Sequence, residues 1–190
     1  LVIYDAKHTD MSMFAGDDGV MRIFIEARNA FGTGTHQTTR MILRRLLGMD
    51  LKGKSVLDCG CGTGILGIVA SRLGASHVLG YDIDEWSSEN AKHNAALNGV
   101  DNLDVLLGDA SVLDGVKEEF DVVIANINRN ILLNDMTAFR SHLKTGGRLI
   151  LSGFYETDVP MLEQAAQSNG LTIIDVVTDG EWACAMFECK

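Results

Sequence analysis

Between an apolar run and a helical one stand Val56-Leu57-Asp58-Cys59-Gly60-Cys61-Gly62-Thr63-Gly64. Glycines at alternate positions let a backbone turn sharply and approach a ligand closely. The helix predicted to follow offers N–H groups at its first turn to a carboxylate or a phosphate. The spacing is G-x-G-x-G after an acid. The dinucleotide fingerprint G-x-G-x-x-G would need its third glycine at position 65, which is Ile65. A P-loop is excluded, because no G-K-[ST] follows. The plain alternative is a tight strand-to-helix turn with no ligand.

A second group of residues is placed where it can act with that loop. Asp82 ends the apolar run 77–81, 22 residues after Gly60. An acid at the tip of the second strand of a doubly wound sheet can accept two hydrogen bonds from a ribose diol. Asp84 competes with it but is better explained as a helix cap. Asp109, in Gly108-Asp109-Ala110 after the third strand, is placed to meet an adenine edge or to serve as a simple loop residue. Asn126 follows the hydrophobic strand 122–125, so it stands at the C-terminal edge of the sheet, where open α/β sheets bind ligands; a strand-end turn is the other reading. Phe31-Gly32-Thr33-Gly34-Thr35-His36-Gln37-Thr38-Thr39 is a loop with two flexible glycines and several hydroxyls. Phe31 can stack on a ligand or cover it. His36 is better read as a hydrogen-bonding residue than as a base, and Trp182 as either a pocket wall or a core aromatic.

These residues need a frame. Residues 1–19 read as irregular, with turn chemistry at Gly16-Asp17-Asp18-Gly19. Residues 20–27 read as a strand, 29–38 as a loop and 38–47 as a helix ending near Gly48. From Lys54 strand and helix alternate. Strands are predicted at 55–57, 77–81, 103–107, 121–125 and 148–151. Helices are predicted at 65–73, from Asp84 to the C-cap pair Asn98-Gly99, at 131–143 and at 158–169. That order argues for a parallel sheet wrapped by helices. Two further strands, 171–177 and 182–189, flank Thr178-Asp179-Gly180-Glu181, a hairpin signal. The reading is one domain over 20–190, with 1–19 an N-terminal extension or linker remnant.

The 190 residues carry a net charge of −10, no apolar run long enough to span a bilayer and no secretory leader. The acidic balance argues against a duplex-DNA or membrane-surface binder and is compatible with a basic protein or a small molecule. Cys59, Cys61, Cys184 and Cys189 contain no C-x-x-C pair, so buried thiols in a reducing cytoplasm are expected rather than zinc or disulfides. The chain opens on Leu1, which reads as a fragment or processed product.

The stretch Asp58 through Gly64 resembles motif I of class I S-adenosylmethionine methyltransferases, and the final hairpin resembles the reversed seventh strand of their sheet. The nine residues from Phe31 to Thr39 closely resemble the F-G-T-G-T-H-x-T-T signature of the ribosomal protein L11 methyltransferases. Ala125-Asn126-Ile127, Leu151-Ser152-Gly153 and Glu181-Trp182 resemble that family too. The likeness runs over about 20–190. It implies a doubly wound, mostly parallel seven-stranded, Rossmann-like sheet with an antiparallel last strand. It implies S-adenosylmethionine bound by motif I (Asp58, Gly60, Gly62, Gly64), Thr39, Asp82 and Asn126, with Phe31 and Asp109 beside it. It further implies methylation of lysine and terminal amino groups of a ribosomal protein, with no metal, nucleic acid or membrane. The family usually carries a separate N-terminal recognition domain, and Asn128-Arg129-Asn130 is less apolar here than in many relatives. A methyltransferase for another protein, a small molecule or RNA, or a non-catalytic cofactor-binding module, could stand on the same scaffold. The Asn-x-Pro-Tyr-type motif of base and glutamine N-methyltransferases lies at a similar place, but Ile127-Asn128-Arg129 lacks its proline and aromatic residues.

The position of Ile65 makes the first prediction. Calorimetry should show binding of S-adenosylmethionine and of its demethylated product, and none of NAD. Tight NAD binding with no S-adenosylmethionine binding would reverse this reading of the loop.

Overall fold

A strand buried on both faces must be apolar at every position, not at alternate ones. That is the character of β3 (Ser55–Cys59), β4 (His77–Asp82) and β6 (Phe120–Asn126), whose interior residues are almost all buried. The computed structural model describes residues 1–14, 19–28 and 31–190. Its main sheet also contains β5 (Leu103–Leu107), β7 (Leu143–Tyr155), β8 (Leu171–Asp179) and β9 (Trp182–Cys189), in the order β5-β4-β3-β6-β7-β9-β8. All contacts from β5 to β7 are parallel, and β9 runs antiparallel to both neighbours. The hairpin is therefore present, but its second strand is the one inserted beside β7. Ala183, Cys184, Ala185 and Phe187 of β9 are fully buried, whereas β8 carries Asp175 and Asp179. The apolar strand takes the interior and the polar one the edge.

Helices cover both faces. On one lie α1 (Gln37–Leu47), α2 (Ile65–Arg72) and α3 (Glu85–Leu97), packed through Met41, Ile42, Leu46, Ile68 and Val69 onto Val56, Val78, Val122 and Ile150. On the other, α4 (Arg129–Ser141) and α5 (Val159–Ser168) pack Leu132, Met136, Phe139 and Leu162 onto Leu57, Leu79, Val123 and Leu149. No described helix is long and apolar enough to cross a membrane. The chain runs β3, β4, β5 outward to one side, then returns to β6 and β7 on the other. The crevice between β3 and β6 is thus a topological switch point, where ligands bind.

The structure departs from the sequence reading in three places. Residues 1–14 are not irregular: β1 (Val2–Asp5) pairs in parallel with β2 (Arg22–Ile25), followed by two short 3-10 turns. Four residues give no usable periodicity, and their partner lies twenty residues away; Tyr4, Phe14 and Phe24 then close an aromatic cluster over the pair. Helix α4 begins two residues earlier than expected, because Asn128 accepts from the Asn130 and Ile131 N–H groups as its N-cap. β7 is much longer than 148–151: it starts at Leu143, paired with Phe120 of β6, and β9 supplies a partner from Arg148 up to Tyr155. The expected turn at 16–18 and the start of the 29–38 loop lie outside the described residues.

The other notable device is on α3. Asn98 pairs with β2, and Asn94 and Asn90 with Glu26 and Arg28 in the residues that follow it. Asn98 Oδ1 accepts from Phe24 N–H at 2.8 Å, and its Nδ2 donates to the Phe24 carbonyl at 2.7 Å. Asn94 Oδ1 accepts from Glu26 N–H at 3.0 Å, and Asn90 Oδ1 from Arg28 N–H at 3.3 Å. One helical step of four residues is about 6 Å and one strand step of two residues about 6.6 Å. The match lets side-chain amides stand in for a neighbouring strand.

Asp84 caps α3, its Oδ2 accepting from the Ser87 N–H at 2.9 Å and the Ser87 hydroxyl at 2.8 Å. Asp84→Ala should cost about 1 kcal/mol of stability, read as a lower midpoint in chemical denaturation with an unchanged slope.

Candidate functional site

The crevice at the switch point holds a cavity of about 330 Å³. Its floor is the turn after β3. Gly60 and Gly62 sit at φ 70° and 54°, in the left-handed region. A β-carbon on Gly60 would strike the Ile127 side chain, and one on Gly62 the Phe31 carbonyl oxygen. The turn is tied down on both sides. The Gly60 and Cys61 N–H groups donate to the Tyr81 carbonyl, at 2.8 and 3.0 Å. Thr63 N–H donates to the Phe31 carbonyl at 2.9 Å and its hydroxyl to the Gly32 carbonyl at 2.6 Å. The 31–39 loop is thereby strapped across the glycine turn.

Of the residues singled out from sequence, Phe31, Thr39, Gly60, Gly62, Asp82, Asp109 and Asn126 line this cavity. Asp82 is held at the tip of β4. Its Oδ2 accepts from Gly62 N–H at 2.8 Å and its Oδ1 from Asp84 N–H at 3.0 Å. Each oxygen keeps lone-pair capacity, so the carboxylate is aimed before any diol arrives. Asp109 is brought alongside by the Gly108 N–H bond to the Asp82 carbonyl at 2.8 Å. Its Oδ1 is occupied by the Ser111 N–H and hydroxyl, which hold its carboxyl below the usual range. Asp109 is thus held in its loop as a turn cap and also lines the cavity.

Asp58 and Gly64 are not on the wall. Asp58 is buried beneath the turn, where Oδ2 accepts from Gly67 N–H of α2 at 3.0 Å and Oδ1 has no partner among the described residues. Burial pushes its carboxyl up to about 7, with the Asp82 charge adding and the Gly67 N–H opposing. Its place is that of a brace between β3 and α2. Gly64 packs on Ala91 of α3.

Asn126, at the end of β6, joins two spaces. Its Nδ2 donates to Thr39 Oγ1 at 3.3 Å, while Oδ1 is buried and has no partner among the described residues. A second cavity of about 270 Å³ shares Phe31, Asn126, Ile127 and Asn128 with the first. Its far wall is aromatic: the His36 ring lies 5.6 Å from Phe31 and 5.1 Å from Trp182, and Tyr155 lies 4.6 Å from Trp182. His36 Nδ1 accepts from Thr38 N–H as the N-cap of α1, so that nitrogen is engaged in structure. Trp182 is a wall residue.

Sequence reasoning missed Ile83, Ile131 and Asp135 on the first cavity. Ile83 is 75 % exposed, and an apolar residue directly after the acid of a strand tip was the available signal. Asp135 had none, because only the docking of α4 brings that helix to Tyr81. Among the described residues no cluster of side chains could hold a metal ion.

The two neighbouring acids can be told apart. Asp82→Ala removes charge-assisted hydrogen bonds of about 1.5–3 kcal/mol each, so affinity for an adenosine-bearing ligand should fall at least tenfold. Asp84→Ala should retain that affinity. Calorimetry on both variants checks this, and an exchange of their phenotypes would move the ribose site to Asp84.

Comparison with known proteins agrees with this geometry. The family model described as Ribosomal protein L11 methyltransferase (PrmA) matches residues 2–190. A ribosomal protein L11 methyltransferase of Porphyromonas gingivalis is 51% identical over 167 residues, which are 88% of this chain and 57% of the relative. One from Bacteroides fragilis is 46% identical over 186 residues, 98% of this chain and 64% of the relative. The chain thus spans about three fifths of the length of the curated relatives it matches. A crystal structure of a ribosomal protein L11 methylase from Lactobacillus delbrueckii subsp. bulgaricus superposes with a TM-score of 0.81 at 35% identity, covering 90% of this chain and 86% of that one. On sequence, fold and the arrangement of the switch-point cavity together, the chain belongs to the ribosomal protein L11 methyltransferase family.

Proposed function

We propose that this chain transfers methyl groups from S-adenosylmethionine to amino groups of ribosomal protein L11, on lysine side chains and the chain terminus. The observation that carries this is the buried Asn126 Oδ1, without a partner among the described residues, at the junction of the two cavities.

The larger cavity fits the cofactor on its own terms. Gly60 and Gly62 keep the turn closed against Ile127 and Phe31 along the cavity floor, and Asp82 offers two pre-aimed oxygens. When bound, the sulfonium supplies an electrophilic methyl group. The chain's residues then have three tasks. Asp82 and the glycine turn set the position of the nucleoside. Phe31, strapped over the turn by Thr63, shields that region from water. Asn126 accepts a hydrogen bond from an amine arriving through the smaller, aromatic-walled cavity.

A lysine amine reacts only when neutral, and its ordinary pKa is about 10.4. A carboxylate at the junction would stabilise the ammonium and oppose reaction; an apolar, aromatic surround lowers the pKa. A carbamoyl oxygen directs the lone pair without adding a negative charge. Positioning of this kind can itself lower the barrier by several kcal/mol. The net charge of −10 argues against a nucleic-acid substrate, and the chain's four free buried cysteines are compatible with a reducing cytoplasm.

Incubation with methyl-labelled S-adenosylmethionine and purified L11 should place label on amino groups, and prior acetylation of L11 should abolish it. Label on RNA, or none on L11, would overturn the assignment. Asn126→Ala should lower kcat at least tenfold with a smaller change in cofactor affinity. Asn126→Asp should raise the amine's pKa and so displace the activity profile to higher pH.

A further inference from the structure

The strap over the glycine turn needs an anchor of its own, since residues 22–28 lead directly into it. That anchor is the asparagine stripe of α3, and its three members are not equivalent. Among the described residues the Asn98 side chain bonds to Phe24 and to Asn94 of its own helix, and the Asn90 side chain to Glu26 and Arg28. Asn94, fully buried, has a further connection: Oδ1 accepts from Glu26 N–H at 3.0 Å, and Nδ2 donates to the Thr63 carbonyl at 3.0 Å. Thr63 in turn holds the Phe31 and Gly32 carbonyls. One side chain thus joins α3, the residues after β2, the glycine turn and, through Thr63, the strap.

From this we infer that Asn94 is a positioning residue for the cofactor cavity, acting through Thr63, while Asn98 is confined to stability. Both side chains hold the same extended segment, so both contribute to folding. Only Asn94 sets the height of Thr63. Without its amide the Thr63 carbonyl is buried and unsatisfied, and the turn relaxes toward other partners. The Gly62 N–H that orients Asp82 lies one residue before Thr63, so the ribose-binding carboxylate would lose its alignment with it. The inference rests on the reading of the larger cavity as the S-adenosylmethionine site.

The test pairs two variants of the full chain, Asn94→Ala and Asn98→Ala. Thermal unfolding and calorimetric titration with S-adenosylhomocysteine are measured on each. Both variants should melt below the wild type. Asn94→Ala should bind about tenfold more weakly, the equivalent of about one buried hydrogen bond, and Asn98→Ala should bind as the wild type does. Asn94→Asp keeps the acceptor for Glu26 and loses the donor to Thr63, so it should share the weakened binding; it carries the test if Asn94→Ala does not fold. Asn90→Ala replaces the control if Asn98→Ala does not fold. Wild-type affinity in the folded Asn94 variants, or an equal loss in the control, overturns the inference. Failure of the wild type itself to bind would instead remove the reading of the cavity.

Discussion

The site depends on one close approach. At the crevice between β3 and β6 the chain after Cys59 passes so near to Ile127 and to the Phe31 carbonyl that positions 60 and 62 have no room for a β-carbon. The left-handed backbone there turns successive N–H groups to different tasks: two to Tyr81, one to Asp82, one to Phe31. A single substituted side chain would push away the strap on one side or the end of β6 on the other. The strap and the end of β6 can lie this close to the turn because positions 60 and 62 carry no side chain.

Charge is distributed around it with a clear division. The larger cavity is lined by carboxylates, Asp82, Asp109 and Asp135. Asp82 is oriented by backbone N–H groups, and Asp109 by a serine. The junction with the second cavity has a neutral amide, aromatic rings and a histidine committed to a helix cap. Carboxylates suit a diol, which donates protons without releasing them. They do not suit an amine that must reach the reaction without its extra proton. Asp58 lies beneath the turn: it is buried, so its charge is disfavoured, and its Oδ2 is held by the N–H of Gly67.

The support comes from three different devices for closing an edge. β8 shields the interior strand β9 and carries acids that pair with Arg40 and Arg45 of α1. β1 covers one edge of β2 by ordinary pairing. The other edge of β2 and the residues that follow it are met by side-chain amides of α3. A backbone N–H or carbonyl left unpaired in the interior is costly, and all three devices satisfy that requirement while leaving the C-terminal ends of the central strands open.

Much of this was legible in the chain of residues. Alternation of buried strands and amphipathic helices announced the sheet, and the glycine turn with its two acids announced the cavity, because both signals are local. Asp84 was correctly read as a helix cap, since capping needs only residues two or three positions away; the cap that Asp109 makes on Ser111 was found in the structure. Four matters were settled by tertiary structure. Asp58 turned inward because β3 is buried on both faces, so alternate positions of the motif cannot all reach the ligand. β1 was hidden because its partner is remote and the strand too short to show a period. Asp135 reached the cavity only through the docking of α4. The asparagines of α3 gave no signal in the sequence beyond the C-cap at Asn98; their role required an extended segment whose repeat matches the helical step, and that coincidence is a property of two elements packed together, not of either sequence alone.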